Sequence, residues 1–481
     1  MKLGRHLLGY APVKLIVALV AFGGIYVFTR LLTPEQYGRY ALMLAALSLI
    51  HALSLTWVEA SMFRFTGKAV ARGNTPDHYK TALVSIFYAT IAAMALSGLL
   101  LLIVWPYPGY RWFVPLIALH LPFNSIVKTV FEARRASQQV RHYTLASVSK
   151  TVLGFIVGVA LAWQAGLGAL SPIAGLLAAS TVLMLIEGPW LLKQAAGGKS
   201  DPQQRRAWLG FGIPTAIAIS LDMLLSSADR FLIAVFIDEA AVGAYTAGYG
   251  VADKTVLVIC AWAALAASPL MMEAYERNGA KAASKEAKGL INTLLLLGAP
   301  AATGLALVAK PLAEAMIGEG LRDQAIEIIP WIAFAGLLNG LLIHYVSESF
   351  QLAHKTRQRA LLMAVPVLAN VALNCLMIPT FGLMGAVYAT LISYAGALIL
   401  MALVGRNYLA LPVPLKDAGL VALACLAMWP VIALVPEFGS WLELFLKAGI
   451  GAATYVAIIL SLNAGNSRHM LKALLARRAP A

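Results

Sequence analysis

Fourteen apolar segments, each close to the length of a transmembrane helix, occur along this chain of 481 residues. A helix needs about 20 apolar residues to cross roughly 30 Å of hydrocarbon, so each segment predicts one membrane span. The predicted spans cover residues 11–30, 40–60, 81–104, 112–132, 144–164, 169–191, 209–232, 243–268, 290–309, 326–350, 360–378, 383–404, 418–435 and 441–462. The sequence therefore predicts an all-α, polytopic membrane protein.

The composition excludes several other classes of protein. Hydrophobic residues make up 60% of the chain and charged residues 12%, whereas soluble domains have about 25% charged residues. These values exclude an ordinary water-soluble enzyme, a disordered chain and a nucleic-acid-binding module. Cys260, Cys375 and Cys425 lie in separate apolar runs, so we expect neither a disulfide framework nor a metal site.

Lysine and arginine are distributed unevenly between alternate loops. With the N-terminus placed in the cytoplasm, 27 of the 37 Lys and Arg residues fall on the inner side, 7 on the outer side and 3 inside helices. Cytoplasmic loops carry such an excess. Because one miscounted helix would scramble the alternation, the asymmetry predicts an even number of spans with both termini in the cytoplasm. It also accounts for most of the net charge of +15.

The chain contains an internal repeat. Residues 33–40 read Thr-Pro-Glu-Gln-Tyr-Gly-Arg-Tyr and residues 238–245 read Asp-Glu-Ala-Ala-Val-Gly-Ala-Tyr, so a Gly-x-Tyr pattern recurs at an offset of 205. Each segment follows an apolar run that ends in arginine, Arg30 or Arg230. Six spans per unit is an even number, so both units enter the membrane from the same side. Some transporters are built from such parallel repeats, with the substrate site between the halves.

The repeat predicts three regions. Residues 1–200 form an N-lobe of six helices, residues 201–405 form a C-lobe of six helices, and residues 406–481 add two further spans and a basic cytoplasmic tail. The tail suits an amphipathic helix on an anionic membrane surface.

Three short motifs carry a resemblance to a known family. They are Arg30-Leu-Leu-Thr-Pro-Glu-Gln-Tyr-Gly-Arg-Tyr40, Asp229-Arg230 followed by Gly243-Ala-Tyr245, and the stretch from Asn370-Val-Ala-Leu-Asn374 to Gly385-Ala386. They resemble the first loop, the midpoint and the junction of the eleventh and twelfth helices in oligosaccharide flippases. These are the Wzx-type members of the multidrug/oligosaccharidyl-lipid/polysaccharide exporter superfamily. The resemblance covers residues 5–405.

The resemblance implies a function and a location. Family members carry twelve or fourteen helices in two lobes and move undecaprenyl-diphosphate-linked sugars across the bacterial inner membrane by alternating access. The implied partners are a lipid-linked oligosaccharide and membrane lipids, with polysaccharide polymerase machinery as a further candidate. No nucleotide-binding loop occurs in the sequence, so we expect no cofactor, with H⁺ or Na⁺ as the candidate coupling ion. The glycan is not implied.

The fourth predicted span carries polar side chains four residues apart, which places them on one helix face: His120, Asn124, Lys128 and Glu132. One interpretation is a packing stripe with an internal Lys128–Glu132 ion pair, and the other is the wall of a hydrophilic cavity. We favour the cavity, because the tenth span repeats the arrangement with Asn339, His344, Ser347, Glu348 and Gln351. Charged residues inside a membrane normally face a cavity or a partner.

Carboxylates occur in two further spans. Asp222 in the seventh span is a candidate proton or sodium carrier, as is Glu348, and the alternative for Asp222 is a pair with Lys254. In the second span Glu59 lies two turns from His51. We expect Glu59 to pair with Arg64 at the cytoplasmic end, the alternative being a place in the cavity lining.

Cations inside the spans are candidates for holding an anionic diphosphate. They are Lys128, Lys150 and Lys254, with Arg30 at the outer end of the first span and Arg230 at the equivalent position of the repeat. Arginine binds phosphate by bidentate hydrogen bonds and lysine binds it as a point charge. The predicted cavity lining is Arg30, His120, Asn124, Lys128, Lys150, Lys254, Asn339, His344 and Glu348.

Three other functions remain as alternatives. An exporter of cationic drugs would need unpaired carboxylates and few cations, so the three lysines argue against it. A membrane glycosyltransferase or polymerase would need a long extramembrane loop with catalytic residues, and the sequence has none. A lipid II flippase stays open. The sequence therefore favours a transporter and not an enzyme.

Overall fold

The computed structural model describes residues 2–468, apart from the side chains of residues 2–12, 14, 266, 267, 356 and 440. Within these residues the regular structure is helical and contains no strand. The helices are α1 (Lys2–Leu31), α2 (Pro34–Ser54), α3 (Thr56–Ala71), α4 (Thr75–Val104), α5 (Pro108–Arg111), α6 (Phe113–Ala136), α7 (Val140–Trp163), α8 (Ser171–Gln194), α9 (Pro202–Phe236), α10 (Glu239–Leu307), α11 (Ala309–Met316), α12 (Glu319–Leu341), α13 (Glu348–Leu352), α14 (Thr356–Phe381), α15 (Leu383–Gly405), α16 (Leu415–Ala433) and α17 (Ser440–Leu462).

All fourteen predicted spans fall on helices. Among the described residues, eleven helical segments are long and apolar enough to cross a membrane, or twelve if the bent pair α2–α3 is one span. α10 carries two predicted spans, separated at Gly279, where φ is 76° and ψ is −170°. The apolar part of α1, Leu15–Leu31, carries the first predicted span. The all-α fold is confirmed, and a count of fourteen spans is compatible with it.

The chain forms two compact units. Unit 1 comprises Met1–Ala234 and Asp238–Gly243, and unit 2 comprises Val235–Ile237 and Ala244–Ala481. The lobe boundaries after residues 200 and 405 stay predictions about the repeat. The basic tail from residue 469 onward lies outside the described residues.

Small residues allow the helices of unit 1 to approach closely. A Cβ atom at Gly175 of α8 would clash with the backbones of Gly154 and Gly158 of α7. A Cβ at Gly212 of α9 would meet the carbonyl oxygen of Trp57 of α3. Such crossings stabilise helix pairs in membranes by van der Waals contact. Lipid tails are as apolar as the side chains, so no hydrophobic effect drives the helices together.

The two repeat segments begin helices in the same way. Thr33 Oγ1 accepts a hydrogen bond from the N–H of Gln36 at 3.3 Å, and Asp238 Oδ1 accepts one from the N–H of Ala241 at 2.7 Å. Both side chains therefore cap an N–H group that the first helical turn leaves unpaired. The aligned glycines follow five residues after each cap, and a Cβ at Gly38 would clash with the Glu239 carbonyl and lie 3.2 Å from the nitrogen of Gly243.

In unit 2, the hairpin of α14 and α15 depends on glycine. Gly382 has a φ of 57°, which favours glycine, and it ends α14. A Cβ at Gly385 would clash with the carbonyl of Met377, and Ala386 is fully buried. The small residues at these positions therefore allow α14 and α15 to approach closely.

The last two helices of unit 2, α16 and α17, pack on the second half of α10. Their shared core includes Met428 and Ile459 with Leu296 of α10. Tyr455 donates its hydroxyl to the Leu296 carbonyl at 3.0 Å. Pro300 lacks the N–H that would otherwise bond this carbonyl, so the tyrosine satisfies a group that proline leaves free.

Candidate functional site

Unit 1 contains a cluster of polar side chains supplied by four helices. It consists of His51 from α2, Glu59 from α3, His120, Asn124 and Lys128 from α6, and Lys150 from α7. We term these six residues the His51 cluster. All of them lie inside predicted spans, where polar groups are rare and normally functional.

A break in the second span brings His51 and Glu59 together. In a straight helix two residues eight positions apart are separated by about 12 Å along the axis. Here the chain bends by 51° between α2 and α3. Leu55 lies at the break, and the N–H of Val58 bonds back to the Leu55 carbonyl at 3.1 Å. As a result the Nε2 of His51 lies 2.9 Å from an oxygen of Glu59.

Lys128 extends from α6 to this pair. Its ammonium lies 3.1 Å from His51 Nε2 and 3.8 Å from Glu59 Oε2. The side chain of Lys128 is 43% exposed, whereas those of His51 and Glu59 are 7% and 10% exposed. Lys128 is therefore the accessible member of a group that is otherwise buried.

One expected ion pair, Glu59–Arg64, is wrong, and the Lys128–Glu132 pair of the less favoured interpretation is not formed by these two described side chains. Glu132 bonds Arg135 at 3.3 Å, and Lys128 contacts His51 and Glu59 instead of Glu132. The guanidinium of Arg64 lies over the ring of Phe211 at 4.2 Å, while Glu59 faces His51. Both differences have one cause, because the break at Leu55 turns Glu59 toward α6.

The inner part of the cluster is formed by α6 and α7. Lys150 donates a hydrogen bond to the amide oxygen of Asn124, and His120 bonds to the backbone of Leu176 in α8. His120 and Asn124 are 3% and 5% exposed. With neutral histidines and both lysines protonated, the two lysines and one carboxylate give the cluster a net positive charge. It can therefore attract an anion.

The predicted arginines Arg30 and Arg230 each bond a carbonyl group of their own helix. Arg30 donates to the carbonyl of Tyr26 at 2.9 Å and stacks on its ring at 3.9 Å. Arg230 donates to the carbonyl of Ser226 at 2.8 Å, and its N–H donates to Asp229 Oδ1 at 3.2 Å. Their roles in substrate binding stay predictions. Asp222 is half-buried on α9, and its role in ion coupling stays a prediction as well.

In unit 2 the predicted residues of the tenth span surround a π-helical turn. This turn, Leu342–Val346, joins α12 to α13 and contains His344, with Asn339 buried before it. Glu348 follows it and accepts a hydrogen bond from Ser268 at 3.2 Å. Since a π turn does not keep the spacing of an α-helix, the predicted common face of these residues stays a prediction. Lys254 is exposed on α10.

Several buried polar groups were not identified as site candidates from the sequence. Arg134 and Glu187 form a buried ion pair at 2.5 Å between α6 and α8. Asp253 of α10 is 6% exposed. Glu187 could have been identified from the sequence, because it is a carboxylate inside an apolar run. Asn374 of the family-like motif donates to the carbonyl of Asn370 in its own helix at 2.9 Å.

Known proteins resemble the chain over most of its length. A family model described as "Polysaccharide biosynthesis protein" matches residues 27–325. A probable low-salt glycan biosynthesis flippase, Agl15 of Haloferax volcanii, is 22% identical over 465 residues, which cover 94% of this chain and 96% of Agl15.

Two solved structures share the fold. The lipid II flippase MurJ, in an inward closed conformation, has a TM-score of 0.78 at 13% identity and matches 94% of this chain and 98% of MurJ. An inward-facing multidrug resistance MATE family transporter of the MOP superfamily has a TM-score of 0.66 at 15% identity, over 81% of this chain and 93% of its own. The fold expected from the sequence motifs is confirmed.

Proposed function

Because the chain belongs to the polysaccharide biosynthesis protein family, we propose that it translocates a lipid-linked oligosaccharide from the cytoplasmic to the outer leaflet of the membrane. It is a multi-pass membrane protein with a transporter fold, and its relatives are flippases and transporters. The proposed mechanism is alternating access, in which the glycan and its phosphates cross through the protein and the prenyl tail stays in lipid.

The observation that carries the proposal is the net positive charge of the His51 cluster. Lys128 and Lys150 lie on adjoining helices and both interact with Glu59, the carboxylate of the cluster, while the neighbouring Glu132 is paired with Arg135. A cavity for cationic drugs would need the opposite balance of charge. We propose that the two lysines hold the diphosphate of the carrier lipid as point charges, and that Asn124 and His120 position Lys150.

The membrane potential favours the proposed direction of transport. Moving about two negative charges from a negative interior outward is favourable by about 4–5 kcal/mol per 100 mV, from ~2.3 kcal/mol per charge. An anionic lipid headgroup can therefore be exported without nucleotide hydrolysis. Asp222 and Glu348 remain the sites proposed from the sequence for an additional coupling ion, H⁺ or Na⁺.

The carrier lipid, the membrane, the orientation and the product are also proposals. We propose undecaprenyl diphosphate as the carrier, the bacterial inner membrane as the location, both termini in the cytoplasm, and surface polysaccharide such as lipopolysaccharide or exopolysaccharide as the product. A polysaccharide polymerase is the proposed downstream partner. The relative Agl15 comes from an archaeon, so the host lipid must be identified directly.

Deletion of the gene followed by analysis of the extracted membrane lipids tests the proposal. We expect a prenyl-diphosphate oligosaccharide to accumulate and surface glycan to be lost. Accumulation of lipid II would instead identify a lipid II flippase. Normal surface glycan with raised sensitivity to cationic dyes would identify a drug exporter and contradict the proposal.

A further inference from the structure

One ring nitrogen of the His51 cluster faces both a cation and an anion. The Nε2 of His51 lies 3.1 Å from the ammonium of Lys128 and 2.9 Å from Glu59 Oε1. A neutral imidazole nitrogen either donates or accepts a hydrogen bond, whereas an ammonium only donates and a carboxylate only accepts. The two contacts therefore need different protonation states of the same nitrogen.

Without a proton on Nε2, the ring accepts a hydrogen bond from Lys128. Glu59 Oε1 then faces a lone pair at 2.9 Å, and this buried oxygen has no hydrogen-bond partner among the described residues. A buried acceptor left without a donor is unfavourable. A proton placed between Nε2 and Glu59 Oε1 removes the repulsion between the lone pair and the carboxylate, and it gives the buried oxygen a donor.

With a proton on Nε2, the ring donates to Glu59 and can no longer accept from Lys128. The ammonium must then leave Nε2, and its remaining contact is Glu59 Oε2 at 3.8 Å. The other ring nitrogen does not fix the tautomer, because His51 Nδ1 has no hydrogen-bond partner in the described part of the chain. The contacts of Nε2 alone therefore decide the position of the proton.

We propose that His51 and Glu59 form a proton-binding site whose occupancy releases Lys128 to bind an anion. The groups that face this site are Lys128 and His120 of α6 and Lys150 of α7, with Glu132 of α6 near Glu59. The contacts of His51 Nε2 with Lys128 and Glu59 support the proton site. The identity of the anion as a lipid diphosphate rests on the proposed function.

The two binding events are linked. A proton on His51 adds a positive charge and frees Lys128, so it raises the affinity for an anion. By reciprocity, a bound anion that draws Lys128 away raises the affinity of the site for a proton. The anion is therefore bound together with a proton, and loss of the proton favours its release.

The proton site can be tested without any cargo. Nitrogen-15 NMR of the full chain labelled at histidine, in lipid nanodiscs, distinguishes the two tautomers and the imidazolium. The signal of His51 is the one lost in His51→Gln, and His142→Gln, which removes an exposed histidine, is the matched control. At alkaline pH we expect an unprotonated Nε2, and protonation of this nitrogen on acidification.

Two variants separate the contacts of Nε2. In Lys128→Met the donor is gone, so we expect the neutral ring to carry its proton on Nε2 and to donate it to Glu59. In Glu59→Gln with Lys128 present, the neutral ring should keep its proton on Nδ1. A wild-type His51 that carries its proton on Nε2 at alkaline pH, or whose Nε2 takes up no proton on acidification, would overturn the proposal.

The linkage is tested with inorganic pyrophosphate as the probe. Titration calorimetry in two buffers of different ionisation enthalpy, at a pH where His51 is neutral, should reveal proton uptake of up to one per pyrophosphate. We expect this uptake to be lost in His51→Gln and kept in His142→Gln. Pyrophosphate binding without proton uptake would overturn the linkage. No pyrophosphate binding, with the NMR result intact, would contradict the anion site and the proposed function while supporting the proton site.

Discussion

Gly38 and Gly243, the two glycines that the internal repeat aligns, lie against each other within unit 1. Each follows five residues after a capped helix start, at Thr33 and Asp238. The carboxylate of Glu239 also receives hydrogen bonds from Arg39 and Tyr110, both at 2.6 Å. The repeat motif is therefore a packing element in which a missing side chain allows two helix starts to touch.

This crossing predicts a loss of stability in Gly38→Ala. The new methyl group would clash with the Glu239 carbonyl, and overpacking of this kind costs about 1–3 kcal/mol. We expect a lower Tm of the detergent-purified protein. The matched control is Gly67→Ala in α3, where a Cβ would meet nothing within 4 Å. Equal Tm values for the two variants would contradict the close contact.

The buried ion pair of Arg134 and Glu187 predicts a large effect from removal of one charge. Their side chains are 10% and 8% exposed, and an uncompensated buried charge destabilises a protein by about 3–5 kcal/mol. We expect Glu187→Gln to lower the free energy of unfolding by that order.

Glu273→Gln is the matched control for this pair. It breaks the Arg277–Glu273 ion pair, whose side chains are 74% and 53% exposed. Exposed pairs contribute about 0–1 kcal/mol. If Glu187→Gln lowered the free energy of unfolding no more than Glu273→Gln does, Arg134 would be solvated, which would contradict its burial in the structure.

The hydroxyl of Tyr455 predicts a coupling with Pro300. In the wild-type background, Tyr455→Phe should cost about 0.5–1.5 kcal/mol, because the Leu296 carbonyl loses its donor. In the Pro300→Ala background the helix supplies its own N–H to that carbonyl, so the same substitution should cost less. A double-mutant cycle of unfolding free energies measures the difference. Additive effects would argue against the carbonyl as the shared partner.

The sequence predicted those features that follow from a regular helix. The apolar runs identified the spans, and the four-residue spacing of His120, Asn124 and Lys128 placed these residues on one face of α6. The offset of 205 identified two glycines that the structure brings into contact. These predictions succeeded because each depends on local periodicity or on a direct alignment.

The features that the sequence did not predict depend on departures from the regular helix. Glu59 and His51 meet because the second span breaks at Leu55, and no proline or glycine marks that break. The π turn at Leu342–Val346 likewise alters the spacing around His344. The partner of Glu59 was therefore assigned wrongly, although Glu59 had been considered as an alternative member of the cavity lining.

Translocation by the purified protein tests the central claim most directly. The full chain is reconstituted in vesicles with the prenyl-diphosphate oligosaccharide extracted from the host, and a glycosidase outside the vesicles reports how fast the inner-leaflet glycan becomes accessible. We predict rapid exposure with the wild type and with Lys193→Met, an exposed lysine at the end of α8. The double variant Lys128→Met, Lys150→Met should be as slow as protein-free vesicles. Wild-type rates in that double variant, or no exposure with the wild type, would contradict the account.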